Sequence, residues 1–252
     1  MIKNYKFISS PNFKSGRHED VDMIVLHYTS SDEKTAINWF LTKEFKDKAG
    51  KVKRNYASAH YVVSRDGSVT GMVDPSDTAW HAGLSSYDRR KFCNGRSIGI
   101  EIVNWGLLKK NKDDLYTWTK AKYTYGDAFC DTDGKFWAGY TDEQYLACAE
   151  LCKDLIRRYP KIEKEKIIGH EDISGPEVRK DYKLDPGPAW DWQRLLRLVF
   201  PEGDDGKAGG GSLLAKNLQL DLAKRQGDRS DGLAVKDSLL TRIVSNFKRC
   251  MS

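Results

Sequence analysis

A buried strand is predicted by the run Met23-Ile-Val-Leu-His-Tyr28, which is dense in aliphatic residues and has strand length. A second strand is predicted by Ser97-Ile-Gly-Ile-Glu-Ile-Val103, where apolar residues alternate with smaller or polar ones. Each run carries one ionisable side chain, His27 or Glu101, among apolar neighbours. Because such a group is costly to bury without compensation, both residues are candidates for a functional site.

Helices and further strands alternate with these two runs. The sequence predicts helices over 31–41, 141–159 and 190–200, a hairpin over 59–73 with Asp66-Gly67 at its turn, and a short strand over 166–169. Thr141 and Gln144 have the spacing of a capping box. The sequence predicts a loop over residues 43–56. It predicts a long surface excursion with only local structure over residues 107–139. The alternation predicts an α/β fold with a mixed central β-sheet flanked by helices.

Composition shifts near residue 200 and predicts three regions. Residues 1–200 form the α/β domain, 201–212 a Gly-rich linker, and 213–252 a short helical C-terminal tail that faintly resembles the start of a peptidoglycan-binding module. The tail carries enough apolar residues that it should pack on the domain or form a homo-oligomer.

Charge and hydropathy exclude several classes of protein. The net charge is +6 over 252 residues, with basic and acidic residues interleaved, so no nucleic-acid partner is expected. No apolar run reaches the length of a membrane span. The first 17 residues contain no apolar core of the signal-peptide type. The expected location is therefore cytoplasmic, and periplasmic action would need a route that the sequence does not display.

Two histidines and one aspartate have the chemistry of a catalytic zinc site. His27 ends the first strand, His170 follows the apolar run 167–169, and Asp185 stands fifteen residues later in a proline-rich loop. Two imidazoles and a carboxylate leave a fourth zinc position open for reaction. A structural role for each histidine is the alternative, and the case depends on the set.

Glu101 and Lys183 are the candidate catalytic side chains. A carboxylate in an apolar strand can act as a general base with a raised pKa, or it can belong to a buried salt bridge. Lys183 lies two residues before Asp185 and could stabilise an oxyanion beside the metal, although a lone loop lysine is often only solvated.

Six ordered segments carry a resemblance to a known family: Leu26-His-Tyr-Thr29, Ser58-Ala-His-Tyr61, Ala79-Trp-His-Ala-Gly83, Cys93-Asn94 with Ser97-Ile-Gly-Ile-Glu101, Gly169-His-Glu-Asp-Ile173 and Lys183-Leu-Asp-Pro-Gly-Pro188. Together they resemble the N-acetylmuramoyl-L-alanine amidase type 2 family, which includes AmpD-like zinc amidases, phage lysozymes of the T7 type and peptidoglycan-recognition proteins. The resemblance covers about residues 20 to 200.

The resemblance implies a hydrolase with specific residue roles. It implies that His27, His170 and Asp185 bind Zn²⁺, that Glu101 is the catalytic carboxylate and that Lys183 is the oxyanion partner. We expect Trp80, His81 and Asn94, which belong to two of the segments, to contact a peptidoglycan or muropeptide substrate. Ala59 and Asp185 stand where the phage lysozymes have tyrosine and cysteine, so the chain follows the AmpD-like branch.

Two other functions compete with the amidase. A non-catalytic peptidoglycan-recognition module shares the fold but often lacks the metal ligands, all three of which are present here. A glycosidase would need two carboxylates that flank one bond, whereas here one carboxylate accompanies a set of metal ligands. The sequence leaves open whether the substrate is intact peptidoglycan or a soluble anhydro-muropeptide.

Overall fold

The computed structural model describes residues 4–175, 178 and 183–201. Its strands are β1 (Tyr5–Phe7), β2 (Phe13–Lys14), β3 (Met23–Tyr28), β4 (Glu44–Lys46), β5 (Val52–Arg54), β6 (Tyr61–Val63), β7 (Val69–Gly71), β8 (Thr78–Ala79), β9 (Ser86–Tyr87), β10 (Arg90–Lys91), β11 (Ser97–Ile102), β12 (Leu107–Asn111), β13 (Asp114–Tyr116), β14 (Ala128–Cys130), β15 (Phe136–Ala138) and β16 (Ile167–Gly169). Its α-helices are α1 (Glu33–Leu41), α2 (Asp142–Arg158), α3 (His170–Ile173) and α4 (Trp192–Val199).

A six-stranded mixed sheet forms the centre of the domain, in the order β1-β7-β6-β11-β3-β16. Strands β6, β11, β3 and β16 run parallel, whereas β7 is antiparallel to β6. Helices cover both faces, so the predicted fold class is confirmed. The predicted tail lies outside the described residues, and so does the predicted linker from residue 202 onward.

Side-chain alternation along β3 and β11 gives the sheet two different faces. Ile24, Leu26 and the three isoleucines of β11 pack in the main core with helices α2 and α4. Since neighbouring side chains on a strand point to opposite faces, His27 and Glu101 lie on the other face. This second face carries smaller apolar clusters, one of which includes Ile37 and Phe40 of α1. The functional side chains therefore point away from the main core.

Most predicted elements are present with shifted ends. The two diagnostic strands are present as β3 and β11, and α2 begins with the predicted capping box, in which Thr141 and Gln144 satisfy each other's backbone amides. Cys148 and Cys152 are free and buried on the inner face of α2. Residues 43–56, expected as a loop, instead contain the antiparallel pair β4–β5.

The expectation of an excursion with only local structure over 107–139 is wrong. Strands β12 to β15 form a separate four-stranded antiparallel sheet with its own small apolar cluster, here called the inserted sheet. Asn104 closes its base: the Nδ2 atom donates to the carbonyls of Ala138 and Gly139, at 3.0 and 3.1 Å, and Oδ1 accepts from the Gly106 amide at 2.7 Å. The two ends of the inserted sheet are thus tied together where they leave the domain.

A buried ion pair fixes the start of β11. The guanidinium of Arg96, 1% exposed, donates to both carboxylate oxygens of Asp22, at 2.8 and 2.9 Å. Asp22 precedes β3, so the pair joins the entrances of the two central strands.

We expect Asp22→Asn to destabilise the fold by about 3–5 kcal/mol, because the buried Arg96 loses its hydrogen-bonded carboxylate and keeps only the more distant, exposed Asp88, 3.9 Å away. Urea unfolding measures the effect. Asp20→Asn is the matched control, since Asp20 is exposed and pairs with Lys161 at the surface. Equal unfolding midpoints for the two variants would contradict a structural role for the pair.

Within the described part of the chain, none of the helices has the length and apolar character needed to cross a lipid bilayer.

Candidate metal centre

Three adjacent parallel strands bring the candidate residues to one edge of the sheet. Strand β11 pairs with β3 so that Glu101 lies directly opposite His27. On the other side of β3, β16 places Gly169 opposite Leu26, so His170 follows at the level of His27. The carboxyl ends of parallel strands are where α/β folds commonly build ligand sites. Side chains separated by more than 140 residues therefore meet through backbone pairing.

The three expected metal ligands converge on one point. His27 Nδ1 lies 3.0 Å from His170 Nδ1 and 3.0 Å from Asp185 Oδ2, and His170 Nδ1 lies 3.1 Å from the same oxygen. All three side chains are buried. In a tetrahedral zinc site with ligand distances near 2.0–2.1 Å, ligand atoms lie roughly 3.3 Å apart. The observed triangle is close to one face of that tetrahedron.

Hydrogen bonding alone leaves this triangle poorly satisfied. Two imidazole nitrogens and a carboxylate oxygen face one another, and a proton on one nitrogen can serve only one short contact at a time. A cation at the centre attracts all three lone pairs together. The residues therefore fit a bound divalent metal ion.

The loop that carries Asp185 is held at several points. The Glu171 amide donates to the Asp185 carbonyl at 3.1 Å, and the Tyr140 hydroxyl donates to the Pro186 carbonyl at 2.8 Å. Gly169 permits the close approach of this loop, since a Cβ there would lie 2.8 Å from Pro186 Cδ. The third ligand is thus fixed although it comes from a loop.

Burial and neighbouring charges shift the pKa values of His27 and Asp185 toward the forms that can bind a metal. Burial, followed by the neighbouring His170, lowers the pKa of His27 to about 4. Burial alone would raise the pKa of Asp185, but the adjacent His170 and His27 hold it below its ordinary value. A neutral imidazole and an ionised carboxylate are the forms that bind metal.

Glu101 lies beside this triangle on the cavity floor. Burial, and secondarily the charge of Asp185, raises the pKa of Glu101 well above its ordinary value, while Lys183 acts in the opposite direction. Among the described residues, no salt bridge compensates Glu101, so the alternative of a buried ion pair finds no support. Lys183 lines the same cavity, with its backbone amide anchored to Ser174 Oγ at 2.8 Å.

A cavity of about 1020 Å³ opens above these residues. Its walls include three partly exposed tryptophans, Trp39, Trp80 and Trp118. Trp118 comes from the inserted sheet and was not among the expected site residues. Its indole Nε1 donates to the Ser30 carbonyl at 2.6 Å, which docks the inserted sheet against the loop after β3. No local pattern around Trp118 signals this contact, because its partner lies 88 residues away in sequence.

The three residues expected to contact substrate occupy different positions. Trp80 is 37% exposed and lines the cavity. His81 lies against His27, and both of its ring nitrogens already have partners, His27 Nε2 and Ser97 Oγ. Asn94 is buried outside the cavity lining; its Oδ1 accepts from the backbone amides of His81 and Ala82, at 3.0 and 2.8 Å. Asn94 therefore positions the loop that carries His81.

Comparison with known proteins gives several relatives. A 1,6-anhydro-N-acetylmuramyl-L-alanine amidase, AmpD, from Haemophilus influenzae is 29% identical over 208 residues, which is 79% of this chain and 94% of that protein. The AmpD of Escherichia coli is 36% identical over 145 residues, covering 58% of this chain and 60% of that protein. The match therefore covers almost the whole of the first relative and 60% of the second.

Solved structures agree with the sequence comparison. A selenomethionine AmpD derivative matches with a TM-score of 0.50 and 28% identity, over 79% of this chain and 96% of that one. The Escherichia coli AmiD amidase, in complex with anhydro-N-acetylmuramic acid-L-Ala-D-gamma-Glu-L-Lys, matches with a TM-score of 0.53 and 24% identity, over 92% and 74% of the two chains, and supports the fold.

A sequence model of one family, N-acetylmuramoyl-L-alanine amidase, matches residues 17–188. The matched region is more than half of the chain and contains every residue of the metal triangle, together with Glu101 and Lys183. We conclude that the chain belongs to the N-acetylmuramoyl-L-alanine amidase family.

Proposed function

We propose that this enzyme uses zinc to hydrolyse the amide bond between N-acetylmuramic acid, or its anhydro form, and L-alanine in peptidoglycan or muropeptides. The observation that carries the proposal is the convergence of His27, His170 and Asp185 beside Glu101 in one cavity. The names of the AmpD and AmiD relatives support this bond as the target.

His27, His170 and Asp185 would hold the zinc ion. Two nitrogens and one oxygen are a common protein set for catalytic zinc, with a fourth position left open. When bound, zinc supplies Lewis-acid activation of water and of a carbonyl group. The protein supplies the geometry, because β3, β16 and the anchored 183–187 loop fix the three ligand atoms.

Glu101 is proposed to move the proton. Its carboxylate faces the cavity beside the ligand triangle, so it can accept a proton from the attacking water and return it to the leaving amine of L-alanine. A pKa raised by burial brings such a carboxyl group closer to working pH, where both transfers are efficient.

Lys183 is proposed to stabilise negative charge on the scissile carbonyl oxygen. It lines the cavity two residues before Asp185, opposite in charge to the developing oxyanion. Its ammonium group would act together with the metal, because Lys183 and the proposed ligand Asp185 belong to the same loop and line the same cavity.

The tryptophans are proposed to bind the sugar or the peptide. Exposed aromatic rings in a cavity with a few polar groups are typical of small-molecule sites. Trp80 lies on the loop next to His81, and Trp118 reaches the cavity from the inserted sheet. The substrate would then lie between the domain and the inserted sheet.

Trp118→Ala should raise KM for a soluble anhydro-muropeptide roughly tenfold, equivalent to about 1.4 kcal/mol, with little change in kcat. Steady-state kinetics measures both. Phe129→Ala is the control, because Phe129 is another exposed aromatic residue of the inserted sheet but does not line the cavity. A fall in kcat alone, or an equal effect of the control, would contradict a binding role.

Product analysis tests the proposed function. The zinc-loaded protein is incubated with intact sacculi and, separately, with purified anhydro-muropeptides, and the products are identified by mass. Release of free peptides from sugar supports the amidase. Shortened glycans would indicate a glycosidase, and binding without any product would indicate a recognition module. The relative rates on the two substrates identify the preferred one.

A further inference from the structure

A chain of hydrogen bonds runs from the metal triangle to the backbone through His81. His27 Nε2 lies 2.9 Å from His81 Nδ1, and His81 Nε2 lies 3.1 Å from Ser97 Oγ. Ser97 Oγ in turn donates to the Cys93 carbonyl at 2.7 Å. All four residues that take part in these hydrogen bonds are buried. His27 and His81 also line the cavity, whereas Ser97 and Cys93 do not.

The Cys93 carbonyl, at the end of this series of hydrogen bonds, determines which atom carries each proton. A carbonyl oxygen can only accept, so the Ser97 hydroxyl proton points to Cys93 and its oxygen remains an acceptor for His81. His81 therefore carries its proton on Nε2 and presents a bare Nδ1 to His27. His27 must then carry its own proton on Nε2, which leaves its Nδ1 lone pair directed at the metal triangle.

We propose that His81 and Ser97 are positioning residues that hold His27 in the tautomer and orientation required for metal binding. The inference rests on the proposed zinc site and deepens it. A second hydrogen bond on the far nitrogen of a ligating histidine commonly fixes its tautomer, usually through a carboxylate, carbonyl or water. In this protein the neutral imidazole of His81 takes that place. Ser97 and the Cys93 carbonyl fix its orientation in turn.

The surrounding structure keeps His81 in this position. Asn94 accepts from the His81 backbone amide, so the loop after β8 cannot move freely. Gly99 of β11 makes room for the ring, since a Cβ at that position would lie 2.3 Å from His81 Cγ. His81 has no nitrogen left for substrate, which separates its role from that of the adjacent Trp80.

The test compares two near-isosteric substitutions, His81→Asn and His81→Leu, in the full chain. Asn Oδ1 and His Nδ1 are both bonded to Cγ, so asparagine can keep an acceptor for His27 Nε2, whereas leucine cannot. Zinc affinity is measured by competition with a chelator. His81→Leu should weaken zinc binding about 10–100-fold, the usual effect of losing such a partner. His81→Asn should bind at least several-fold more tightly than His81→Leu.

Two further variants complete the test. Ser97→Ala removes the acceptor for His81 Nε2 and should weaken zinc binding by less than His81→Leu; it decides the question if His81→Leu fails to fold. His60→Asn removes another buried imidazole that packs edge-on to His81, yet keeps an acceptor for the Gly99 amide and should bind zinc as the wild type does.

The outcomes separate this inference from the proposed function. If a folded His81→Leu binds zinc as tightly as the wild type, the positioning role alone is overturned. If leucine prevents folding, equal zinc affinity of the wild type and Ser97→Ala has the same consequence. The same holds if asparagine is no better than leucine, or if His60→Asn loses as much affinity. A wild-type chain that binds no zinc overturns the proposed function and this inference with it.

Discussion

Asp185→Ala is expected to remove both zinc binding and hydrolysis. The substitution leaves two imidazole nitrogens and takes away the negative charge that helps to hold a divalent cation. Loss of a residue that only supports a ligand commonly costs 10–100-fold, so loss of a direct ligand should lower activity by more than about 100-fold. Metal content of the purified variant and its turnover of anhydro-muropeptide measure the two effects.

Asp133→Ala is the matched control for this substitution. Asp133 is an exposed carboxylate near the turn between β14 and β15 and does not line the cavity. It should leave zinc content and turnover unchanged. Full activity of the wild type after exhaustive chelation, or a stoichiometric zinc ion in Asp185→Ala, would be incompatible with the proposed site.

Glu101→Gln is expected to separate chemistry from metal binding. Glutamine keeps the shape of the side chain and cannot act as a base at neutral pH, so zinc should remain while kcat falls by about 10²–10⁴. Single-turnover kinetics with the zinc content measured in parallel distinguishes the two. Near wild-type turnover would show that the proton moves through another group.

The pH profile gives an independent check on Glu101. Only the ionised carboxylate can accept a proton, so wild-type kcat/KM should fall as pH drops through the pKa of Glu101. Because burial raises that pKa, the fall should begin at a higher pH than for an ordinary glutamate. The residual activity of Glu101→Gln should lack this acid limb, and a limb that persists would assign it to another residue.

The central part of the fold and two of the three expected metal ligands follow from local sequence patterns. Strands β3 and β11 are dense apolar runs whose single ionisable residues stand out, and α2 begins at a recognisable capping box. The order of the six family-like segments then identified His27, His170 and Asp185 together. Local pattern singled out His27 and His170, which lie at the end of, or directly after, a buried strand, whereas Asp185 lies in a loop and its place in the set depended on the resemblance.

The inserted sheet and the hydrogen-bond partners of His81 could not be predicted in the same way. Strands β13, β14 and β15 have only three residues each, too few to show a period, and each is stabilised by pairing with a neighbour in the inserted sheet. His81 and Asn94 have their roles through partners outside their own segments, His27, Ser97 and the 81–82 backbone. Such contacts depend on the completed fold.

The hydrogen bonds of Asn104 at the base of the inserted sheet, here called the clasp, have a consequence for the evolution of the enzyme. A segment whose two ends are joined to each other can be lengthened, shortened or exchanged without moving the strand that precedes it or the helix that follows it. Glu101 lies upstream of the clasp and α2 downstream, so the position of the proposed catalytic carboxylate does not depend on what the clasp encloses. Trp118 lies inside it. Substrate preference could therefore change during evolution by replacement of the segment that the clasp encloses. The residues proposed to break the amide bond would stay the same.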